Sequence, residues 1–331
     1  MKKTQLIDVY AILLAIVGLT AVVLRTIACL TSFDSVTMHF DDKVCINIAN
    51  ALVMMCTLFF ATYLFTESKS LNPVASNENG ATYIPAGLLS IALLFIAADR
   101  SVAIRQSSVF VSNNVLRHLG NAVVTLAVVS VVAIFLMIFL SKNESTAKTL
   151  MCLGIVLYLC AYSAYLYFNR SVHPTNSPNK VIDQLAYLFA AMFFLFETRI
   201  TLGRAAWRPY VSLGFMASLL TAYSAIPSLL VYIGSGYILS DTIYETAVTL
   251  ALCIFITSRV LLTKRLYSSE GCREAEIIKA LFELRERFMN DKKHHSFARE
   301  EDNKEEIETV DAENYSFDIP PVESTVDADE E

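Results

Sequence analysis

Residues 119–140 read LGNAVVTLAVVSVVAIFLMIFL, a stretch without a single charged side chain. A helix needs about 20 apolar residues to cross the ~30 Å hydrocarbon core of a bilayer, so this stretch is long enough to span a membrane. Backbone polar groups cannot stay unpaired in lipid, and the segment must therefore be helical. It predicts a membrane protein built from α-helices.

Apolar stretches of similar length recur on both sides of this segment. The composition agrees, because 55% of the residues are hydrophobic, 18% are charged and the mean hydropathy is +0.49. We therefore predict an all-α fold, a polytopic membrane bundle of about eight transmembrane helices within residues 1–267. The predicted spans are 6–28, 44–66, 83–98, 119–140, 149–168, 181–200, 209–233 and 241–263.

The first and seventh spans each contain a residue that needs a specific explanation. Arg25 interrupts the long first apolar stretch, which favours a retained helix over a cleaved signal sequence. Pro227 lies deep in the seventh span. Proline has no backbone N–H, so we expect a kink near Ser224, whose hydroxyl is a candidate partner for a freed carbonyl.

The charges are divided unevenly between the apolar body and the C-terminal end. Residues 300–331 contain fourteen Asp or Glu and one Lys, a net charge of −13, so the total of −6 leaves +7 for residues 1–299. Loops that we place on the cytoplasmic side hold twelve Lys or Arg, against six on the outer side. We therefore predict a protein of the plasma membrane with both termini in the cytoplasm.

Ionisable and amide side chains within or next to the spans gather at two levels. Such residues are costly in lipid unless they are paired or hydrated, which makes them functional candidates. At the outer level we expect a polar vestibule in which Arg25 pairs with Asp183 or Glu245; the alternative is that these residues sit at the water interface, with Arg25 extended toward water. The candidate outer cluster is Arg25, Asn47, Asn50, Asp99, Arg100, Asp183 and Glu245.

The second group of ionisable residues is predicted near the inner face of the membrane. Between the two levels the spans are nearly uncharged, which disfavours a proton-coupled transporter but not a transporter of neutral solutes. The candidate inner cluster is Asp8, Glu197, Arg199 and Arg259.

The remaining chemistry-bearing residues show no catalytic pattern. The sequence has no His-Glu-x-x-His pair, no phosphate-binding Gly-Lys loop and no Gly-x-Ser-x-Gly turn, so we expect no enzyme, no cofactor and no metal site. No basic stripe interleaved with aromatics appears, so nucleic acid is not an expected partner. Cys29 and Cys45 flank one outer loop and are either free thiols or a disulfide. Tyrosines 158, 162 and 165 share a helix face, which we interpret as an aromatic belt at the interface.

The segment after the last span is predicted to lie in the cytoplasm and to bind a protein partner through residues 270–322. Residues 268–290 have the spacing of a short amphipathic or coiled-coil helix, and residues 291–331 form an acidic tail too poor in apolar residues to fold. An apolar island beside two prolines interrupts the tail, which is typical of a docking segment. Two heptads are too short to dimerise alone, so a homo-oligomer is left open. The candidate docking residues are Ile277, Leu281, Leu284, Phe288, Tyr315, Phe317 and Ile319.

Two functional interpretations follow from these features. The first is a non-enzymatic membrane sensor, scaffold or assembly factor that couples the outer vestibule to a cytoplasmic partner. The alternative is a transporter or permease subunit for a small solute, supported by eight spans and the Pro227 kink. In either case the lipid bilayer is the surrounding solvent of the helical body.

Overall fold

The computed structural model describes residues 3–34, 39–65, 80–106, 114–138, 153–169, 177–201 and 207–268, together with Glu283 and Arg287. Within these ranges the chain is nearly all helical. The long helices are α1 (Lys3–Leu13), α2 (Leu19–Thr31), α3 (Val44–Ala61), α4 (Gly80–Gln106), α5 (Asn114–Ile138), α6 (Gly154–Phe168), α7 (Pro178–Thr201), α8 (Trp207–Ser235) and α9 (Ile243–Ser268).

Short elements extend or connect these helices. A π-helical turn, Leu14–Gly18, joins α1 to α2 without a break, and a 3-10 turn, Thr62–Phe65, extends α3. Between α2 and α3 the strands β1 (Phe33–Asp34) and β2 (His39–Phe40) pair antiparallel, with Phe33 opposite Phe40.

Among the described residues, seven helical segments are long and apolar enough to cross a membrane. They are Ile7–Thr31, Val44–Phe65, Tyr83–Gln106, Asn114–Phe135, Pro178–Arg199, Arg208–Ser235 and Ile243–Leu262. The prediction of a helical body is thus confirmed, and the length and apolarity of these seven helices suit a membrane-embedded protein. The predicted span 149–168 is represented by α6, whose 15 residues extend over only ~22 Å at 1.5 Å per residue.

Helix α8 is the central helix of the bundle. It packs against α2, α3, α7 and α9, while α4 contacts α5 and α9, and α6 lies between α5 and α7. The close approach of α8 to α9 depends on Gly214, because a Cβ atom there would lie 2.2 Å from Cγ2 of Val260. About two-thirds of the apolar segment of α8 is buried inside the bundle, so α8 is an interior helix rather than a lipid-facing one.

The C-terminal predictions fall almost entirely outside the described residues. Of the predicted helix 268–290 the structure describes Ser268, at the end of α9, and Glu283 and Arg287, which are both helical and exposed. The acidic tail 291–331 and all seven candidate docking residues lie outside the described part, so these stay predictions.

Candidate functional site

Arg25 on α2 is completely buried, and the chain supplies it with neutral acceptors. Its Nη1 donates to the backbone carbonyl of Tyr223 at 2.9 Å, and its Nη2 donates to Oδ1 of Asn179 at 2.9 Å. The guanidinium also lies over the Tyr223 ring, 4.6 Å from its centroid. These contacts place α2, α7 and α8 around one cation.

The carbonyl of Tyr223 is available to Arg25 because of Pro227. In an α-helix the carbonyl of residue i accepts from the N–H of residue i+4, and residue 227 has no N–H. The proline inside α8 therefore leaves a carbonyl acceptor for the buried arginine. Proline and arginine lie in different spans, yet they form one structural unit.

This arrangement corrects two expectations. The hydrogen bonds of Arg25 go to neutral groups instead of the carboxylates of Asp183 or Glu245. The Ser224 hydroxyl donates to Oδ1 of Asp183 instead of a freed carbonyl, and Ser228 donates to the carbonyl of Ser224. Asp183 therefore binds to α8 through a serine.

A second buried cation, Arg100 near the end of α4, forms an ion pair with Asp241 in the loop between α8 and α9. Nη2 of Arg100 lies 2.6 Å from Oδ2 of Asp241, and both side chains are almost completely buried. The guanidinium also donates to the hydroxyls of Tyr162 and Tyr165, at 3.1 and 3.2 Å. A buried ion pair needs such additional hydrogen bonds to offset the loss of hydration of both charges.

The same cluster extends to α7. Asn169, directly after α6, donates to Oδ2 of Asp241 at 3.2 Å, and the ammonium of Lys180 donates to the carbonyl of Asn169 at 2.5 Å. We call Arg100, Tyr162, Tyr165, Asn169, Lys180 and Asp241 the Arg100 network, and the end of the bundle where it lies the Arg100 end. At this end α4, α6 and α8 finish, and α7 and α9 begin.

The start of α9 is held by a local capping arrangement. The sequence Thr242-Ile-Tyr-Glu245 precedes an apolar run; the backbone N–H of Glu245 donates to the Thr242 hydroxyl at 3.3 Å, and Oε2 of Glu245 accepts from the N–H of Asp241 at 3.0 Å. This is close to the capping box, in which a Thr and a Glu three residues later bond reciprocally. The capping fixes Asp241 and Glu245 beside each other, next to Arg100.

The tyrosines of α6 do not form an aromatic belt. Tyr158, Tyr162 and Tyr165 are at most 1% exposed and face the interior, so that interpretation is wrong for these three, whereas Tyr167 is half exposed. Tyr187 of α7 packs against the ring of Tyr162, with centroids 5.0 Å apart, and its hydroxyl bonds to Thr249 at 2.9 Å. Tyr158 and Tyr187 therefore lie beside the Arg100 network, with their rings packed against that of Tyr162.

At the opposite end of the bundle, Arg259 of α9 and Glu197 of α7 form a second buried ion pair. Two of the four residues predicted for the inner cluster are therefore brought together. Arg199 is exposed, with its guanidinium 5.4 Å from the centroid of Phe196, and Asp8 is half-buried on α1. We call this end the Glu197 end.

The other predicted residues of the outer cluster lie around the Arg100 network. Asn50 accepts a hydrogen bond of 2.7 Å from the Tyr223 hydroxyl, which links α3 to α8. Asn47 is exposed, and Asp99 is half-buried with an Oδ2 atom that has no hydrogen-bond partner among the described residues. The structure therefore divides the predicted cluster. Arg25 and Asn50 both bond to Tyr223, whereas Arg100 is paired with Asp241. Asp183 bonds to Ser224, Glu245 bonds to the Asp241 N–H, and Asn47 and Asp99 are peripheral.

The two cysteines of the predicted pair flank the β1–β2 hairpin, Cys29 on α2 and Cys45 on α3. Cys29 and Cys45 are free thiols in a small apolar cluster with Phe40 and Ile46. In the neighbouring α8–α9 loop, partial burial and the Asp34 carboxylate raise the pKa of Tyr237 above its usual value. Within the described ranges no group of three His, Cys, Asp or Glu side chains is placed to hold a metal ion.

Sequence reasoning missed most partners of the two arginines. Asn169, Asn179, Lys180 and Asp241 lie in connections or at helix ends, where polar residues are ordinary. One usable signal was present, namely the Thr242-x-x-Glu245 spacing before an apolar run. No protein-family model matches the chain, and neither a curated protein nor a solved structure is significantly similar to it.

Proposed function

We propose that the protein is a non-enzymatic membrane sensor, scaffold or assembly factor that couples the Arg100 network to a cytoplasmic protein partner. In this proposal the protein lies in the plasma membrane and α6 is its eighth crossing. The Arg100 end faces outward, and both termini lie in the cytoplasm. The excess of Lys and Arg in the opposite loops supports the orientation.

Helix α9 is the observation that carries the proposal. It begins beside Asp241 and Glu245 at the Arg100 end, contributes Arg259 to the ion pair at the Glu197 end, and leads into the C-terminal segment. The helix is continuous, and Glu245 and Arg259 are ~21 Å apart along its axis at 1.5 Å per residue. A rearrangement of the Arg100 network would therefore move a helix that is directly joined to the predicted docking segment.

Two features support α6 as an eighth crossing. Its last turns lie at the Arg100 end, because Tyr165 contacts Arg100 and Asn169 contacts Asp241. The polar residues that follow its C-terminus are buried by α7 and the α8–α9 loop rather than exposed to lipid. A short helix can therefore cross, because protein rather than lipid surrounds the polar groups beyond its end.

The proposal is tested by crosslinked capture from native membranes. We expect a partner to be captured by the full-length chain and lost when the chain ends after Tyr267. Asp241→Asn should alter the amount captured, whereas Asp41→Asn, an exposed residue at the same end, should leave it unchanged. Capture of the same partner by the truncated chain would remove the basis for the C-terminal docking segment.

A transporter or permease subunit for a small solute is the second candidate. It is favoured by Pro227 inside α8, since transporters often bind substrates where the backbone hydrogen bonds of a helix are disrupted. Uptake into proteoliposomes that Pro227→Ala abolishes and Pro85→Ala retains would favour this candidate over the sensor. Pro85 is a suitable control because it lies in the first turns of α4.

A further inference from the structure

Glu245 has an unsatisfied oxygen in the interior of the bundle. The residue is 1% exposed, and its Oε2 atom accepts the Asp241 N–H. Its other oxygen, Oε1, is buried and has no hydrogen-bond partner among the described residues. A carboxylate in this position would have lost its hydration on one oxygen without receiving a donor in exchange, which is strongly unfavourable.

The charges around Glu245 increase this cost. Among the described residues, Arg100 is the cation that interacts with Glu245, and Arg100 is already paired with Asp241. An ionised Glu245 would add a third negative charge beside Asp183 and Asp241. The titratable groups that face Glu245 are Asp183 and Tyr187 of α7, Asp241 of the loop, Arg100 of α4, and Tyr158, Tyr162 and Tyr165 of α6.

We propose that Glu245 is a proton-binding site and that the proton resides on Oε1 while Arg100 is paired with Asp241. Binding transfers H⁺ from a hydronium ion to Oε1, which forms the O–H bond and releases one water molecule. A neutral carboxyl removes the third negative charge and leaves Oε2 free to accept the Asp241 N–H. Glutamic acid is suited to this role because burial next to like charges favours its neutral form.

A proton on Oε1 would need an acceptor, and the candidate for that role is the hydroxyl of Tyr158. Its hydroxyl is completely buried, has no hydrogen-bond partner among the described residues, and lies within electrostatic range of Glu245. Two polar groups that each lack a partner are thus placed in the same interior region. A direct contact after side-chain rotation, or one bridging water, would satisfy both.

The two states of Glu245 bind Arg100 differently. With the proton bound, Asp241 is the available carboxylate and the ion pair of 2.6 Å forms. Without the proton, Glu245 is an anion that competes with Asp241 for the same guanidinium. The Arg100–Asp241 ion pair, which attaches the α8–α9 loop to α4, is then weaker. The proton site is inferred from the contacts around Glu245 and Arg100, and it does not depend on coupling to a cytoplasmic partner.

Infrared spectroscopy of the full chain in lipid nanodiscs at neutral pH tests the proposal. The difference spectrum between the natural sequence and Glu245→Gln should show the loss of a carboxylic-acid C=O stretch. In the control Glu197→Gln, the lost band should be that of an ionised carboxylate, because Glu197 is paired with Arg259. Loss of a carboxylate band in Glu245→Gln as well would overturn the assignment.

Tyr158→Phe provides an independent measurement if Glu245→Gln does not fold. Removal of the hydroxyl should shift the frequency of the carboxylic-acid band, because the hydrogen bonding of the Glu245 O–H changes. Tyr167→Phe, at a half-exposed site on the same helix, should leave the band in place. A band that does not respond to Tyr158→Phe would contradict the placement of the proton.

Discussion

Replacement of Arg25 with methionine tests the link between the buried arginine and Pro227. Methionine keeps an apolar stem but removes the donors to the Tyr223 carbonyl and to Oδ1 of Asn179. Each buried acceptor left without a donor costs about 1–3 kcal/mol, so we expect Arg25→Met to lower the free energy of unfolding by about 2–6 kcal/mol.

Pro227→Ala should restore part of this loss. Alanine at position 227 supplies the backbone N–H that bonds to the Tyr223 carbonyl, four residues earlier. In the Arg25→Met background the recovered stability should be about 1–3 kcal/mol, because one orphaned acceptor is satisfied again. In the natural background the carbonyl already has a donor from Arg25, so the gain from the same substitution should be smaller by that amount.

Four proteins complete the cycle: the natural chain, each single variant and the double variant. The free energy of reversible unfolding in mixed detergent micelles is measured for each, with Pro85→Ala as the matched control in the Arg25→Met background. Pro85 lies in the first turns of α4, which supplies neither acceptor of Arg25, and should give no rescue. An equal effect of Pro227→Ala in both backgrounds would refute the assignment of the freed carbonyl to Arg25.

Further predictions concern the Glu197 end and the packing of α8. Glu197→Gln removes the carboxylate paired with the buried Arg259 and should cost about 3–5 kcal/mol of unfolding free energy, and the double exchange Glu197→Arg with Arg259→Glu should regain part of it. Gly214→Ala places a Cβ 2.2 Å from Val260 and should destabilise by about 1–3 kcal/mol in the same assay. Gly87→Ala, which meets no atom within 4 Å, should be neutral or mildly stabilising; equal losses at both glycines would contradict this packing.

The apolar segments were predictable because length and hydropathy alone limit what can cross a bilayer. Seven of the eight predicted spans correspond to helices of sufficient length and apolarity. α6 is the exception, because its 15 described residues are fewer than the roughly 20 that a crossing needs.

The candidate site was predictable as charged residues but not as contacts. Arg25 and Pro227 each stood out in their own span, yet the bond between them involves a backbone carbonyl, which no side-chain pattern identifies. The tyrosine spacing on α6 indicated one common face correctly. Periodicity does not say whether such a face contacts lipid or protein, and here Tyr158 and Tyr162 face protein.

The central position of α8 has a consequence for biosynthesis. Tyr223 follows Arg25 by 198 residues along the chain, so a ribosome adding about 5–20 residues per second makes the two ~10–40 s apart. During most of that interval the guanidinium of Arg25 lacks both acceptors, because Asn179 of α7 also follows it by 154 residues. A first helix that enters the membrane during synthesis therefore does so before the groups that bind Arg25 in the folded protein exist.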